Sequence, residues 1–533
     1  MNAASGNVSA WAPFRHGAFA LLWTATLISI TGTWMHDVGA GWLMTTLDPT
    51  PAVVTLVQAA TTLPIFLFAL LAGTLADRVD KRRLLIVVNA ILAVIIVVLA
   101  LLVAGDIMTP SLLVLFTFLI GTGAAFVAPA WQSIVPSLVP RELLQPAVAL
   151  NSMGINISRA IGPALAGFLI TSVGIAAPFA LNAISHVVII AALLAWRPPA
   201  RPAATLPPEP ILGAMLTALR HAAFNGPLKA TMARAVGFFV FASAYWALLP
   251  LVARELPGGG ATLYGFLLAA IGAGAVIGAL LLPHFRGRFS TDRLATFGVM
   301  LTALAMLVLG LARVPAAALV AAFAGGFGWI VVLTSLNVSA QLALPDWVRA
   351  RGLAVYLMVF FGSLAAGSAG WGQLATATSV STTLIVAAIG AVVAIPFTRG
   401  SKLGEGEDID LSPSSHWPAP IVADELEGVV DRGPVMITIE YRIDAAQEHD
   451  FLAAMHALSG ERYRDGARQW GIYEDTEAPG IWIEWFQLSS WAEHLRQHER
   501  ATVHDQELHA RARSFHRGDE PPRVRHWVAP QSQ

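Results

Sequence analysis

The sequence predicts an all-α membrane protein of twelve transmembrane helices in two six-helix repeats, followed by a smaller α+β domain. Three observations carry that prediction. Apolar runs of about twenty residues recur up to about residue 397, in a chain that is 56% hydrophobic and 13% charged. Soluble domains carry about 25% charged residues, and about twenty apolar residues suffice to cross a bilayer core. Basic residues gather in alternate loops between those runs. Beyond residue 400, Asp, Glu, Arg and His become frequent and no run is long enough to span.

The net charge of −1 averages two unlike regions and points to no nucleic-acid partner. The chain has no cysteine, which excludes disulfides, thiolate catalysis and Cys-ligated metals. No GxxxxGK[ST] loop occurs, so ATP-driven pumping is not expected. The first apolar run is too long for a signal peptide and is read as a helix. No cofactor and no metal are expected.

Taken in order, residues 1–16 form a short cytoplasmic arm. The bundle 17–196 holds spans at roughly 17–45, 52–76, 84–105, 111–135, 147–172 and 175–196. Residues 197–227 are a cytoplasmic linker. It opens with the Pro-rich stretch RPPARPAATLPPEP and closes on a short amphipathic segment, 211–224. Proline fixes φ and removes donors, so the Pro-rich stretch is extended. The bundle 228–397 holds spans at roughly 228–253, 261–283, 291–311, 315–341, 350–375 and 379–397. A second linker, 398–433, leads to a soluble domain, 434–533.

One set of loops carries Arg78, Lys81, Arg82 and Arg83, then Arg141, then Arg197, Arg201 and Arg220, and so on to Arg399 and Lys402. The alternate loops carry only Arg254 and Arg313. The positive-inside bias places both termini and the linker in the cytoplasm. A repeat runs at an offset of 205: Gly73 pairs with Gly278, Pro140 with Pro345, Gly162 with Gly367 and Gly167 with Gly372. Two parallel six-helix halves around a central site are the plan of a rocking transporter.

The loop GTLADRVDKRR, Gly73 to Arg83, resembles the motif between helices two and three of the major facilitator superfamily. The stretch Pro129 to Ile170 resembles the branch of the enterobactin exporter and transmembrane secretion effectors. The resemblance covers about residues 10–397. It implies a cytoplasmic-membrane secondary transporter working by alternating access, with proton-coupled export of a small organic molecule such as a siderophore, drug or secondary metabolite. In the family the loop aspartate, here Asp77, caps a helix of the other half, with Arg78, Arg82 and Arg83 adding pairing. A helix N-terminus offers partial positive charge and free N–H groups to such a carboxylate. The span starting near Arg349 is the expected partner. The repeat copy has Leu282 where the acid would be, so the lock is expected on one side only. Span four has no arginine, so the family's arginine-based proton relay does not carry over.

Asp37 is the candidate for proton coupling, because an acid at membrane depth costs about 2.5–3.5 kcal/mol and needs a cavity, a partner or a proton. The competing reading is a solvated charge near the outer surface, since Asp37 lies about 30 Å along the helix from Gly17. His36 beside it is read as a packed histidine. Arg159 lies about 18 Å into span five, near the midplane. Asn156 and Asn151, three and eight residues before it, share its face, and an anionic substrate or Asp37 is its expected partner. Gln132, Trp246 and Tyr356 complete the candidate cavity, although polar residues at this depth also serve as interhelical hydrogen-bond glue. Gly162, Pro163 and Gly167 form a small-residue face expected to bend, or simply to pack closely.

In the tail, VMITIEYRI, ARQWGIYEDT, IWIEWFQL and PRVRHWVA read as strands. DAAQEHDFLAAMHALSG reads as a helix, and 490–515 as a helix with a broken middle. The order βαββαβ is ferredoxin-like. It resembles the antibiotic-biosynthesis-monooxygenase group of dimeric α/β barrels. His449, His456, His494, His498, His504 and His509 are expected at the surface, although His494 and His498 have zinc-ligand spacing. Homodimerisation or regulation is the expected role. The expected partners are a small-molecule substrate, protons and the bilayer. An importer or uniporter of the same fold, and a membrane-tethered oxygenase, are the alternatives.

Overall fold

The structure is a computed structural model that describes residues 9, 11–198, 211–404, 406, 409–414, 417 and 432–530; the side chains of Asp77, Arg78 and Arg141 lie outside that description. The chain opens with α1 (Gly17–Leu47), α2 (Pro51–Arg78), α3 (Lys81–Ala104), α4 (Pro110–Ile134), α5 (Leu144–Ser172) and α6 (Ala177–Ala195). The amphipathic α7 (Ile211–Phe224) follows, then α8 (Gly226–Ala247), α9 (Leu249–Glu255) and α10 (Ala261–Arg286). Next come α11 (Thr291–Leu311), α12 (Pro315–Leu342), α13 (Arg349–Ala377) and α14 (Val380–Thr398). Among the described residues, twelve stretches are long and apolar enough to cross a membrane, α8 and α9 together making one. The sequence suggests one continuous helix over 228–253, but it breaks at Leu248. Pro250 has no N–H and clashes with the preceding turn, so a new helix begins around it.

Local chemistry sets the other ends. Proline sits in the first turn of α2, α4 and α6, where its missing N–H costs nothing. Asp80 accepts from the Arg83 N–H at 2.8 Å to start α3, and Ser379 accepts from the Thr382 N–H at 3.0 Å to start α14.

The chain divides into two compact units. The first comprises Met1–Pro208, Met232–Val338 and Tyr356–Ser401. The second comprises Glu209–Thr231, Ser339–Val355 and Lys402–Gln533. In the first, α3 shows how a span is read. Leu85, Asn89, Leu92, Ile96, Leu99 and Val103 are buried. Val87, Ile91, Val94, Val98 and Leu101 are exposed at helical spacing, a stripe suited to lipid. Inside the unit, α1 packs on α5 and α6, α2 on α4, α5 on α10, and α11 on α14.

In the second unit β1 (Val435–Arg442), β2 (Gln469–Glu474), β3 (Ile481–Leu488) and β4 (Arg523–Val528) form an antiparallel sheet in the order β2-β3-β1-β4. Three helices accompany it, α15 (Glu448–Arg464), α16 (Trp491–Arg500) and α17 (Val503–Arg513). The expected broken helix is thus α16 and α17, divided where Thr502 and Asp505 cap each other reciprocally. The sheet core holds Val435, Ile437, Phe486, Leu488 and Trp491, and a second cluster gathers Tyr441, Phe451, Met455, Leu458 and Trp482. This unit is larger than the tail alone. Phe224 of α7 stacks on Tyr463 at 4.9 Å. Trp347, in the α12–α13 connection, lies edge-on to His221 and carries the Arg500 guanidinium at 4.5 Å.

Candidate functional site

The membrane candidates fall into two groups within the first unit. Around α1 and α5, the Arg159 guanidinium sits over the Trp34 ring at 5.6 Å, and its buried Nε has no hydrogen-bond partner. No ion pair joins it to Asp37. Asn151 accepts weakly from the Trp131 indole at 3.4 Å, while Asn156 donates to the Ser152 carbonyl of its own helix at 2.9 Å. Gln132 is exposed. Asp37 is half-buried, and His36 is buried edge-on to Phe179 at 5.0 Å with both ring nitrogens unpartnered. One turn beyond Asp37, the Tyr264 hydroxyl lies 2.8 Å from where a Gly41 Cβ would stand. Tyr264 sits in an apolar helix, and no local pattern in the sequence marks it as a neighbour of Asp37.

The second group is aromatic. Trp246 packs on Trp329 at 5.3 Å, Trp329 on Phe239 at 5.3 Å, and Phe239 on Phe360 at 4.1 Å, one turn from Tyr356. The Trp246 indole N–H and the Tyr356 hydroxyl are buried without partners. With Arg159, three candidates from the two groups leave polar atoms unsatisfied. Each such atom costs about 1–3 kcal/mol unless water or a ligand meets it.

The small-residue face lies between helices. A Cβ on Gly162 would fall 2.6 Å from the Trp34 Cβ, so this glycine lets α5 close on α1. Gly167 and Gly265 face each other across α5 and α10. A Cβ on Gly167 would lie 2.8 Å from the Ala261 carbonyl, and one on Gly265 2.6 Å from the Pro163 carbonyl. Such backbone contact is what membrane helices use in place of a hydrophobic drive.

In the loop, Arg82 donates to the Leu193 and Leu194 carbonyls, both at 2.7 Å, capping the last turn of α6 where the helix dipole is negative. Arg83 contributes its backbone N–H to the Asp80 cap. Gly73 faces open space. The Asp77 and Arg78 side chains lie outside the described residues.

The tail corrects one expectation. His449 and His456 are exposed, but His494 and His509 are buried, at 2% and 4% exposure. For His494 the reason is that α16 turns its His494–Gln497–Arg500 face, residues three apart, inward, while His509 on α17 is buried against Arg462. An inward polar face defeats hydrophobic patterning. Buried charge is organised there: Arg462 Nε meets Glu484 at 2.9 Å and its Nη1 meets His509 at 3.0 Å, while Arg464 pairs with Asp505. Glu461, Asp465 and Asp505 offer carboxylate oxygens within 4.8 Å of one another, but the Arg464 pairings to Asp505 and Asp465 fill that cluster.

Comparisons with known proteins agree with this architecture. The staphyloferrin A transporter of Staphylococcus aureus is 26% identical over 263 residues, covering 49% of this chain and 65% of the relative. An enterobactin exporter of Shigella boydii is 28% identical over 269 residues, covering 50% and 63%. One from Citrobacter koseri is 27% identical over 325 residues, covering 60% and 76%. The chain thus spans less than two thirds of the first two relatives. Among solved structures, a POT family transporter in complex with a thioalcohol-conjugated peptide superposes with TM-score 0.59 at 13% identity, covering 72% of this chain and 96% of that one. An inward-facing bacterial homologue of the human lysosomal transporter Spinster gives 0.57 at 14%, covering 73% and 97%. At such identities the likeness is one of fold, a transporter fold of membrane helices. The model of the transmembrane secretion effector family matches residues 8–533, membrane helices and tail alike, and the chain belongs to that family.

Proposed function

We propose that the protein is a secondary transporter that exports a small organic molecule, of siderophore, drug or secondary-metabolite type, across the cytoplasmic membrane in exchange for protons. The observation that carries this reading is the family match over residues 8–533, together with twelve spans among the described residues and relatives named as a staphyloferrin A transporter and an enterobactin exporter. Two six-helix halves are supported by the helix bounds: shifted back by 205 residues, α13 falls on 144–172, the span of α5, and α12 falls on 110–137. The Lys and Arg distribution supports cytoplasmic termini. In that orientation the contacts of Gly167 with Gly265, and of the Ala52 N–H with the Thr376 hydroxyl at 2.9 Å, lie toward the outer ends, as in a transporter closed to the outside.

Within this reading Asp37 exchanges the proton, Arg159 with Trp246 and Tyr356 receives the substrate, and Asp77 steadies the cytoplasmic gate. The tail has the strand order of a ferredoxin-like sandwich and serves regulation or pairing of two copies. The test is uptake of enterobactin into inverted vesicles under an imposed pH gradient. Gradient-dependent accumulation is expected, and Asp37→Asn is expected to abolish it while leaving binding in place. Accumulation indifferent to the gradient would favour a uniporter, and normal coupling in Asp37→Asn would remove that residue from the mechanism.

A further inference from the structure

The tail contains a cavity of about 810 Å³ between the β1–β4 side of the sheet and the α16–α17 pair. Sites for drug-sized ligands run to about 300–1,000 Å³, mostly apolar with a few placed polar groups. This one has that chemistry. Ile437, Ile439 and Phe486 provide apolar surface, and Trp417 closes one side, its ring 4.9 Å from His498 and 5.0 Å from His509.

The charge of the lining is one-sided. Arg462, Arg513, Arg523 and Arg525 line the cavity, and no aspartate or glutamate does among the described residues. Glu484 neutralises Arg462 from within the core. Arg513, Arg523 and Arg525 are exposed at the rim, so the field at the mouth is positive.

A second observation is independent of charge. Both ring nitrogens of His494 and both amide atoms of Gln497 are buried and form no hydrogen bond of normal geometry, although the two side chains are neighbours. Both line the cavity. Burial, then the nearby His498 and His526, lowers the His494 pKa to about 3, so its ring is neutral and offers one donor and one acceptor. These atoms lie just behind the cavity wall, where a turn of either side chain would bring them to a ligand oxygen and supply the missing partner.

We propose that this cavity binds an aromatic carboxylate or phenolate, its ring among Trp417, Ile437 and Phe486, its anionic oxygen facing His494 and Gln497 under the rim arginines. The site is in the soluble tail and stands apart from the export reading. Isothermal titration of the full chain, in nanodiscs of neutral phosphatidylcholine, tests it with 1-naphthoate and its neutral analogue 1-naphthamide. One saturable naphthoate site per chain is expected, at least about tenfold tighter than naphthamide. The double substitution Arg523→Gln with Arg525→Gln should weaken naphthoate by about tenfold or more and leave naphthamide within about threefold, which also reports an intact fold. Absence of saturable naphthoate binding, equal affinity for the two probes, or naphthoate binding untouched by the double substitution would each overturn the proposal. Binding is read without transport, so a chain that exports nothing still tests it.

Discussion

The two units hold together by opposite means. In the membrane unit close contacts run backbone on backbone, as at Gly167 and Gly265, and charge is sparse among the described residues, where Arg234 pairs with Asp292 at 2.7 Å. In the tail, Arg462, Arg464, Arg500, Glu461, Glu484, Glu493, Asp465 and Asp505 are interleaved, most of them buried. Lipid is as apolar as a leucine side chain, so membrane helices gain by approaching closely enough for dispersion and for small residues to mesh. A small domain in water already gains from burying its aromatic core. It can carry buried ions provided each is paired, and it becomes brittle wherever a partner is removed.

The largest expected effect breaks that brittleness. Arg462→Met leaves Glu484 buried without its cation and should cost the tail about 3–5 kcal/mol. Limited proteolysis of the full chain should then cut within 434–533 while the membrane helices stay intact. Equal resistance to wild type would show that Glu484 is not dependent on this pair.

The matching test in the membrane is Gly265→Leu, which forces α5 and α10 apart. Overpacking costs about 1–3 kcal/mol, and gradient-driven flux should fall further than stability does. A variant that transports normally would mean that the α5–α10 contact is dispensable.

The third prediction uses pH. Burial raises the Glu461 carboxyl from 4.5 to about 7, so the folded tail holds a proton there that the unfolded chain releases above its ordinary value. Stability from this group is therefore full below pH 4.5 and is lost as pH rises to about 7. Glu484 and Asp505 oppose it. Although burial pushes both up, the Arg462 charge on Glu484 and the Arg464 charge on Asp505 prevail and hold them below the ordinary range. Their contribution is present above that range and is lost as pH falls through their folded values. Glu461→Gln should therefore raise the tail's unfolding midpoint above wild type at pH 8 by on the order of 5 °C and change it little at pH 5, a comparison in which the opposing contribution of buried histidines such as His494 cancels. An equal shift at the two pH values would contradict the assignment.

The smallest expected effect is at the α12–α13 connection. Trp347→Ala removes the ring beneath Arg500 and should lower the tail's stability by about 0.5–2 kcal/mol, read in the same thermal scan. No change would mean that the stacking is incidental.

Much of this was legible beforehand. The spans, α7, the four strands and the broken final helix follow from hydrophobic periodicity, which depends on neighbours three, four or two residues away. Leu248 is an exception whose signal, Pro250, was present in the sequence. The candidate site was less legible. Arg159 and Tyr356 stand out as polar residues in apolar helices, but Tyr264 does not, because its relation to Asp37 exists only where α10 meets α1. His494 and Gln497 were obscured for the same reason in reverse, since their inward face is as polar as a surface face.

The sequence by itself determined the membrane class, the number of spans, the composition of the tail and the residues too costly to leave unpartnered. These follow from transfer free energies and helical geometry, which act locally. The tertiary structure alone decided that Arg82 caps the last turn of α6, that Ser339–Val355 belongs with the tail, and that eight scattered charges gather into mostly buried pairs. Those outcomes depend on which distant segments share a surface, and pairing energies at such surfaces leave no periodic trace in the chain.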